Sequence, residues 1–180
     1  MAKRKLGYEE PLIRKVDQPK YVKNKPAEVT TKPLGAKYEL TDNTRLYRGE
    51  KLYQIRALRD FDNVAAGDLG GYVAGEHNLS HAGLCWIAQR GISCGNGLVT
   101  GNAWVMDDAV VKEDATLLDN AYIFNHVVLR AQCCVKGTVQ LFKRVVLGGR
   151  KVLRGDLKFD NNVELSAYLT AELEKRKGGR

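Results

Sequence analysis

An apolar residue recurs at every sixth position through the second half of the chain, and this period constrains the fold more than any other feature. The positions run without exception from 99 to 165: Val99, Val105, Val111, Leu117, Ile123, Leu129, Val135, Leu141, Leu147, Leu153, Phe159 and Leu165. Steps of six scatter around an α-helix, and a flat strand alternates at every second residue. The period therefore predicts short strands that are joined by regular corners.

A second column lies four residues after the first eight of these positions and holds small or β-branched residues. Its members are Ala103, Ala109, Ala115, Ala121, Val127, Cys133, Val139 and Val145. Turn-forming pairs such as Asp107-Asp108 and Asn125-His126 lie between the two columns. We therefore expect a β-helix in which the aliphatic residue points inward and the small residue fills the corner.

These columns resemble the pattern of the left-handed β-helix, or hexapeptide-repeat, family, which is aliphatic-x-x-x-small-x. The resemblance implies a left-handed parallel β-helix with three strands and 18 residues per coil. The frame extends back through Ile87 to Leu69 with Val73. Residues 69–165 would then form about five coils, roughly 26 Å tall at about 4.8 Å per coil.

A narrower resemblance covers residues 52–86. The segments 52–61, 67–73, 78–80 and 85–86 are similar to the start of uncharacterised β-helix proteins of phages and prophages. This resemblance implies a place in the cytoplasm of an infected or lysogenic bacterium, with virion association as a further option. It implies no particular activity.

Residues 1–37 differ from the rest in charge and in proline content. They hold ten Lys and Arg residues against four acidic residues, and all four prolines of the chain. Prolines at this spacing forbid a long helix or a central strand, so we expect an extended basic arm. The arm is either a solvated tail or an anchor on phosphates or acidic protein. The predicted contact residues are Lys3, Arg4, Lys5, Ile13, Arg14, Lys15 and Tyr21.

The remaining segments complete an all-β architecture with one helix. Residues 38–68 are predicted to contain a β-hairpin around the turn Arg48-Gly49-Glu50. Residues 166–180 are predicted to form a short capping helix that begins at Ser166 and a tail. Such a helix would cover one open end of the β-helix at residues 69–165.

Cysteine usage and hydropathy exclude several classes. The four cysteines form no C-x-x-C pair, so we expect reduced thiols in a cytosolic protein and no zinc ribbon. No apolar run is long enough to span a bilayer, and no apolar segment follows the basic start as a secretory signal would require. We predict no membrane association, no metal and no cofactor.

One outer face of the predicted coils is rich in aromatic side chains. Its residues are Trp86, Trp104, Met106, Tyr122, Phe124 and Phe142. Such a surface is too apolar to remain in water, so another element must cover it. The candidates are the protein's own hairpin or helix, a second subunit, or a partner protein. Relatives usually form trimers, so the resemblance favours self-association as a trimer or another oligomer.

Candidate catalytic and anion-binding groups are few. Many hexapeptide-repeat proteins are acyltransferases with a histidine base and a loop that projects from the coils. Here His126 is the one histidine in the regular coils, and no loop interrupts residues 99–165. His126 is interpreted as an exposed corner residue, with a general base as the alternative. Basic residues of the upper coils form either a solvated edge or a phosphate-binding patch: Lys143, Arg144, Arg150 and Arg154.

The sequence thus predicts a non-catalytic phage or prophage protein. It would be a rigid module that binds a phage or host protein through the arm and the aromatic face. Two alternatives remain open: a hexapeptide-repeat acyltransferase that uses His126, and an accessory protein that binds nucleic acid.

Overall fold

The computed structural model describes residues 35–178. The predicted contact residues of the arm, Lys3, Arg4, Lys5, Ile13, Arg14, Lys15 and Tyr21, lie outside the described residues. A hairpin of β1 (Tyr38–Tyr47) and β2 (Glu50–Ala57) leads into a stack of coils, and α1 (Asn162–Gly178) follows the last coil. A short 3₁₀ helix, Glu76–Asn78, lies within the first coil.

The coils are built from fourteen short strands. They are β3 (Leu69–Val73), β4 (Trp86–Ile87), β5 (Ile92–Ser93), β6 (Leu98–Val99), β7 (Trp104–Val105), β8 (Val110–Val111), β9 (Thr116–Leu117), β10 (Tyr122–Ile123), β11 (Val128–Leu129), β12 (Cys134–Val135), β13 (Gln140–Leu141), β14 (Val146–Leu147), β15 (Val152–Leu153) and β16 (Lys158–Phe159).

Three sheets form the walls of the solenoid. A seven-stranded sheet has the order β1-β2-β3-β5-β8-β11-β14, a five-stranded sheet β16-β13-β10-β7-β4, and a four-stranded sheet β15-β12-β9-β6. From β4 onward, paired strands run parallel and lie 18 residues apart, as Trp86 pairs with Trp104 and Trp104 with Tyr122. The hairpin strands β1 and β2 pair antiparallel, as do β2 and β3. The predicted β-helix of about five coils with a C-terminal helix is confirmed, and its left-handed sense stays a prediction.

The two columns of the sequence period form the core. The aliphatic residue that ends each two-residue strand is buried, and so is the small residue at the corner. Ala103, Ala109, Ala115 and Ala121 are fully buried, because the walls converge there and leave little space. Burial of these columns supplies the main stabilising term for coils that contain so little regular strand.

A third column explains the turn residues. Every sixth residue from 89 to 155 has a positive φ, which favours glycine, asparagine and aspartate. The members are Gln89, Gly95, Gly101, Asp107, Glu113, Asp119, Asn125, Ala131, Gly137, Lys143, Gly149 and Gly155. This left-handed residue turns the chain at each corner, so the period of six reflects backbone geometry as well as burial.

The first coil is longer than the others. Val73 pairs with Ser93 and Leu79 bridges to Val99, so these steps are 20 residues long. Leu69, which the period of six places inside, is exposed. The frame therefore shifts by two residues between Leu79 and Ile87, where eight residues replace the usual step of six.

The hairpin forms the edge of the seven-stranded sheet, and its turn end contacts the neighbouring coils. Its turn has positive φ at Arg48 and Gly49, as a tight two-residue hairpin requires. Arg45 Nη2 donates to the Arg90 carbonyl at 3.0 Å, and the Glu50 carboxylate accepts from the Gly95 amide. Leu52 packs with Ile92, Cys94 and Val110. The turn end of the hairpin therefore lies over side chains of β5 and β8.

Lys37 belongs to the folded core, although the sequence places it in the basic arm. Its Nζ donates to the Cys85 carbonyl at 2.7 Å, contacts Cys85 Sγ at 3.1 Å and lies 5.3 Å from the centre of the Phe61 ring. The side chain is fully buried, and this burial lowers the pKa of Lys37. The net charge of residues 1–37 is a property of the whole segment, so it could not show that Lys37 alone among these basic residues would be buried.

The C-terminal helix begins at Asn162, four residues before the predicted start. Asn161 Oδ1 accepts from the Glu164 amide at 2.9 Å and caps the helix. Ser166 is not the cap, because it lies inside the helix, where its carbonyl accepts from the Thr170 hydroxyl. Leu165 is buried, and the Tyr168 ring contacts Phe159 at 5.3 Å between ring centres. The helix thereby covers the last coil.

Candidate active site

One corner of the solenoid carries a column of charged side chains. It joins the five-stranded sheet to the seven-stranded sheet, and successive coils place Arg90, Asp108, His126 and Arg144 at the same position. The 18-residue repeat stacks these residues directly, since the strands on both sides are paired in that register. A corner is the natural place for such groups, because its side chains project into water while the core stays apolar.

Asp108 is fixed from the coil below. Arg90 Nε donates to Asp108 Oδ1 and Arg90 Nη2 to Asp108 Oδ2, both at 2.7 Å. This two-point contact orients the carboxylate more strictly than one hydrogen bond would. The Arg90 guanidinium lowers the pKa of Asp108, chiefly through these hydrogen bonds, so Asp108 is ionised at neutral pH.

His126 lies one coil above this carboxylate. Its Nδ1 is 3.8 Å from Asp108 Oδ2, and its side chain is 58% exposed. The His126 amide donates to the Lys143 carbonyl at 2.8 Å, which fixes the backbone of the corner. At this distance the contact is electrostatic, because it is longer than a hydrogen bond.

An aromatic surface borders this corner on the five-stranded sheet. Phe124 and Phe142 stack with 4.7 Å between ring centres and a 4° angle between planes, and Tyr122 stacks on Phe124 at 6.1 Å. The Lys158 ammonium lies 5.0 Å from the Phe142 ring centre. Phe124 is two residues before His126, so the flat apolar surface and the polar corner are adjacent.

The other residues of the predicted aromatic face occupy different depths. Trp86 is 3% exposed and contacts Phe61 edge to face at 5.4 Å, while Trp104 is 8% exposed. Met106 is half-buried against the core. Trp86 and Trp104 are therefore enclosed by their own chain, and an interface on this face remains a prediction for Met106, Tyr122, Phe124 and Phe142.

The predicted basic patch is divided between two places. Lys143 and Arg144 belong to the candidate corner, where the Lys143 ammonium pairs with Asp160. Arg150 and Arg154 lie beside α1, at a groove to which the helix also contributes. The four residues therefore do not form one continuous patch, because corners six residues apart belong to different edges of the solenoid.

Residues that sequence reasoning missed include Arg90 and Asp108. The sequence interpretation assigned Asp107-Asp108 to turn chemistry, which holds for Asp107, whose Oδ2 accepts from Asn125 Nδ2 at 3.0 Å. The signal that identifies the charged column is the 18-residue spacing of Arg90, Asp108 and His126. The same spacing stacks corner residues as well as residues of the flat faces.

Histidines elsewhere take other roles. His77 Nε2 lies 2.9 Å from the Gly95 carbonyl, and His81 stacks on Tyr38 with 4.2 Å between ring centres. Across residues 35–178, no group of three or more His, Cys, Asp or Glu side chains is arranged to hold a metal ion. In the same range, no helix is long and apolar enough to cross a membrane.

The chain is similar to one curated protein over part of its length. No model of a known protein family matches the chain. The uncharacterized acetyltransferase YdcK of Escherichia coli (strain K12) is 35% identical over 75 residues. The alignment covers 37% of this chain and 23% of the relative, so the chain spans less than a quarter of the length of the protein it matches.

This similarity corrects one sequence-based prediction. The expectation that the chain is not an enzyme is wrong, because a relative with 35% identity carries the name of an acetyltransferase. The match also favours the acyltransferase alternative over the non-catalytic binding module. Together with the coils, it supports the resemblance to β-helix proteins with hexapeptide repeats, whereas a phage origin stays a prediction.

Proposed function

We propose that the chain is an acyltransferase that moves an acetyl group from a thioester donor to a hydroxyl or amine acceptor. His126 acts as the general base at the corner between the five-stranded and seven-stranded sheets. The observation that carries the proposal is the stacked set of Arg90, Asp108 and His126, in which an ionised carboxylate lies 3.8 Å from His126 Nδ1. The name of the partial relative gives the acyl group.

The proposed reaction uses His126 twice. Nε2 takes the proton of the acceptor while the acceptor oxygen or nitrogen attacks the carbonyl carbon of the thioester. The new carbon–oxygen or carbon–nitrogen bond forms, the carbon–sulfur bond breaks, and the imidazolium returns the proton to the leaving thiolate. Asp108 stabilises the imidazolium electrostatically between these steps, and Arg90 holds Asp108 in position.

A second copy of the chain would complete this site. His126 is largely exposed, whereas transfer without hydrolysis requires that water be kept from the thioester. A subunit placed against Tyr122, Phe124 and Phe142 would cover the open side of the corner and the aromatic surface at once. The predicted trimer or other oligomer would supply this covering subunit. Phage, host and nucleic-acid partners stay predictions.

The test is an acetyl-transfer assay on the full chain, with release of free thiol from an acetyl thioester as the readout. A panel of amine and hydroxyl acceptors is supplied, because the proposed chemistry suits both classes. His126→Ala should lower the rate about 10²–10⁴-fold, as loss of a general base does. Asp108→Asn should lower the rate less and leave the protein folded. His77→Ala is the matched control, because it removes another exposed histidine.

Two outcomes would overturn the proposal. One is full activity in His126→Ala together with the parent level of folding, which would place the base elsewhere. The other is the absence of acceptor-dependent thiol release across the whole panel. Solution mass measured on the parent and on Phe124→Ser separates the oligomer from the chemistry, since a monomer with full activity would remove only the role of the second copy.

A further inference from the structure

A groove runs between α1 and the last coil, away from the corner that carries His126. Its volume is about 130 Å³, and both the coil and the helix contribute to its walls. Arg150, Lys151 and Arg154 come from the coil, and Arg176 comes from the last part of the helix. The groove thus gathers four cationic side chains from two elements that are distant in sequence.

The groove carries a net positive charge, because four cationic side chains and one carboxylate line it. Glu172 is the one carboxylate among the lining residues, and it pairs with Lys175 at 3.1 Å. Arg150 Nε donates to the neutral Gln132 side chain at 2.8 Å. Within residues 35–178, no acidic side chain forms an ion pair with any of the four cations. Like charges held this close repel one another, so an anion bound between them would be favoured.

The groove also exposes apolar surface. Val152 is 48% exposed and Leu173 is 57% exposed, and both line it. Tyr168 contributes to the same wall and is held in place by Phe159. Apolar side chains beside unpaired cations fit a ligand that has an anionic group and an apolar or ring-shaped part.

We infer that this groove binds a small molecule that carries a phosphate group on an apolar or aromatic body. Three of the four cations are arginines, whose planar guanidinium matches phosphate oxygens at two points. A phosphate monoester also carries up to two negative charges, which suits several cations better than a single carboxylate would. The body of the ligand lies on Val152, Tyr168 and Leu173.

The experiment uses three probes on the full chain: phenyl phosphate, inorganic phosphate and phenol. Binding is measured by calorimetric titration at low ionic strength. We expect phenyl phosphate to bind about tenfold more tightly than inorganic phosphate, because only the ester also uses the apolar wall. Phenol should bind most weakly, since it lacks the anion. Higher salt should weaken the binding of both phosphates.

Variants locate the binding in the groove. Arg154→Ala and Arg176→Ala should each weaken phenyl phosphate about tenfold, the usual scale for one charge-assisted contact. Lys177→Ala is the matched control, because it removes one charge from the next residue of the same helix and does not line the groove. His126→Ala should bind phenyl phosphate as the parent does, so this inference is independent of the proposed reaction.

Three results would overturn the inference. No binding of phenyl phosphate up to about 10 mM would leave an affinity weaker than ordinary ligand sites. Equal losses in Arg176→Ala and Lys177→Ala would mean general screening of a basic surface. If phenol bound as tightly as phenyl phosphate, the phosphate group would contribute nothing to binding. Thermal unfolding of each variant is the control for structure. A variant that unfolds at the parent temperature has lost binding and not its fold.

Discussion

Lys37 and Cys85 form a buried pair in which the lysine ammonium donates to the Cys85 carbonyl at 2.7 Å and touches the thiol at 3.1 Å. The contact joins the residue before the hairpin to the corner before β4. A cation in such a place is retained only when its hydrogen bonds offset much of the cost of burial. The pair therefore holds the start of the folded region against the first coil.

Replacement of Lys37 should destabilise the fold, and the loss should be larger when the new side chain is smaller. Lys37→Ala should lower the free energy of unfolding by about 2–4 kcal/mol, because it leaves a cavity and an unpaired Cys85 carbonyl. Lys37→Met should cost less, since methionine fills the space. Urea unfolding measures both variants, with Lys177→Ala as an exposed control that should change little. Equal stability of Lys37→Ala and the parent would contradict the buried placement.

His81 should make stability depend on pH just below neutrality. Its Nδ1 accepts from the Lys37 amide at 3.2 Å, and burial lowers the pKa of His81 more than Glu76 raises it. The unfolded chain therefore binds a proton first as pH falls below about 6.5, and folding weakens from there toward the lower folded pKa. Stability should thus decrease as pH falls from about 6.5 toward the lower pKa that His81 has in the folded state.

His81→Asn should remove part of this dependence, because the Asn oxygen can accept the same amide hydrogen without titrating. The measurement is urea unfolding of parent and variant at several pH values in that window. His77→Asn serves as the control and should keep the parent slope. The interpretation fails if parent and His81→Asn show the same slope.

Ala131 should be improved by glycine, unlike the other alanines of the coils. It has a φ of 55° and belongs to the left-handed column that glycine, asparagine and aspartate otherwise favour. Ala131→Gly should raise the free energy of unfolding by about 1 kcal/mol, since an L-residue pays about 1–2 kcal/mol there. Ala115→Gly at a buried corner should instead be destabilising. Thermal unfolding compares the pair, and a loss of stability in both would refute this assignment of the corners.

Trp104 should act as a core residue. It is 8% exposed within a single chain, so Trp104→Ala should cost about 3–5 kcal/mol whether or not the protein associates. Phe142→Ala, in the same sheet but half-buried, should cost less and should lower the solution mass if a second copy covers that surface. Light scattering with urea unfolding tests both statements. A Trp104→Ala variant with the parent stability but a lower solution mass would show that Trp104 is an interface residue and not a core residue.

The sequence predicted most of the coils because burial and turning both repeat with the period of six. Positions such as Leu117 and Ala115 follow from the period alone, and both are fully buried. The period could not show that the first coil contains two extra residues, because they lie between Leu79 and Ile87, before the uninterrupted repeat begins at Val99. It also could not show that Lys37 is buried, because local composition resembles a solvated arm until the partner Cys85 is known.

The candidate site was predictable only in part, for a related reason. His126 was identified as the one histidine of the regular coils, yet its importance depends on Asp108 beneath it and Arg90 beneath that. These residues are 18 apart, so their proximity follows from the coil and not from any local motif. The groove beside α1 needed the position of Arg176 on the helix, and no repeat fixes how a terminal helix lies on the last coil.

The pairing of every coil strand with a neighbour about one coil away has a mechanical consequence. Each coil holds to the next through three short strands, so stability is a sum of neighbouring terms along one axis. A pulling force applied at the C-terminus would detach α1 first and then peel the coils singly. Each event would release about 60 Å of extended chain, the length of 18 residues. Force extension of the solenoid would then show a regular series of steps and not a single rupture.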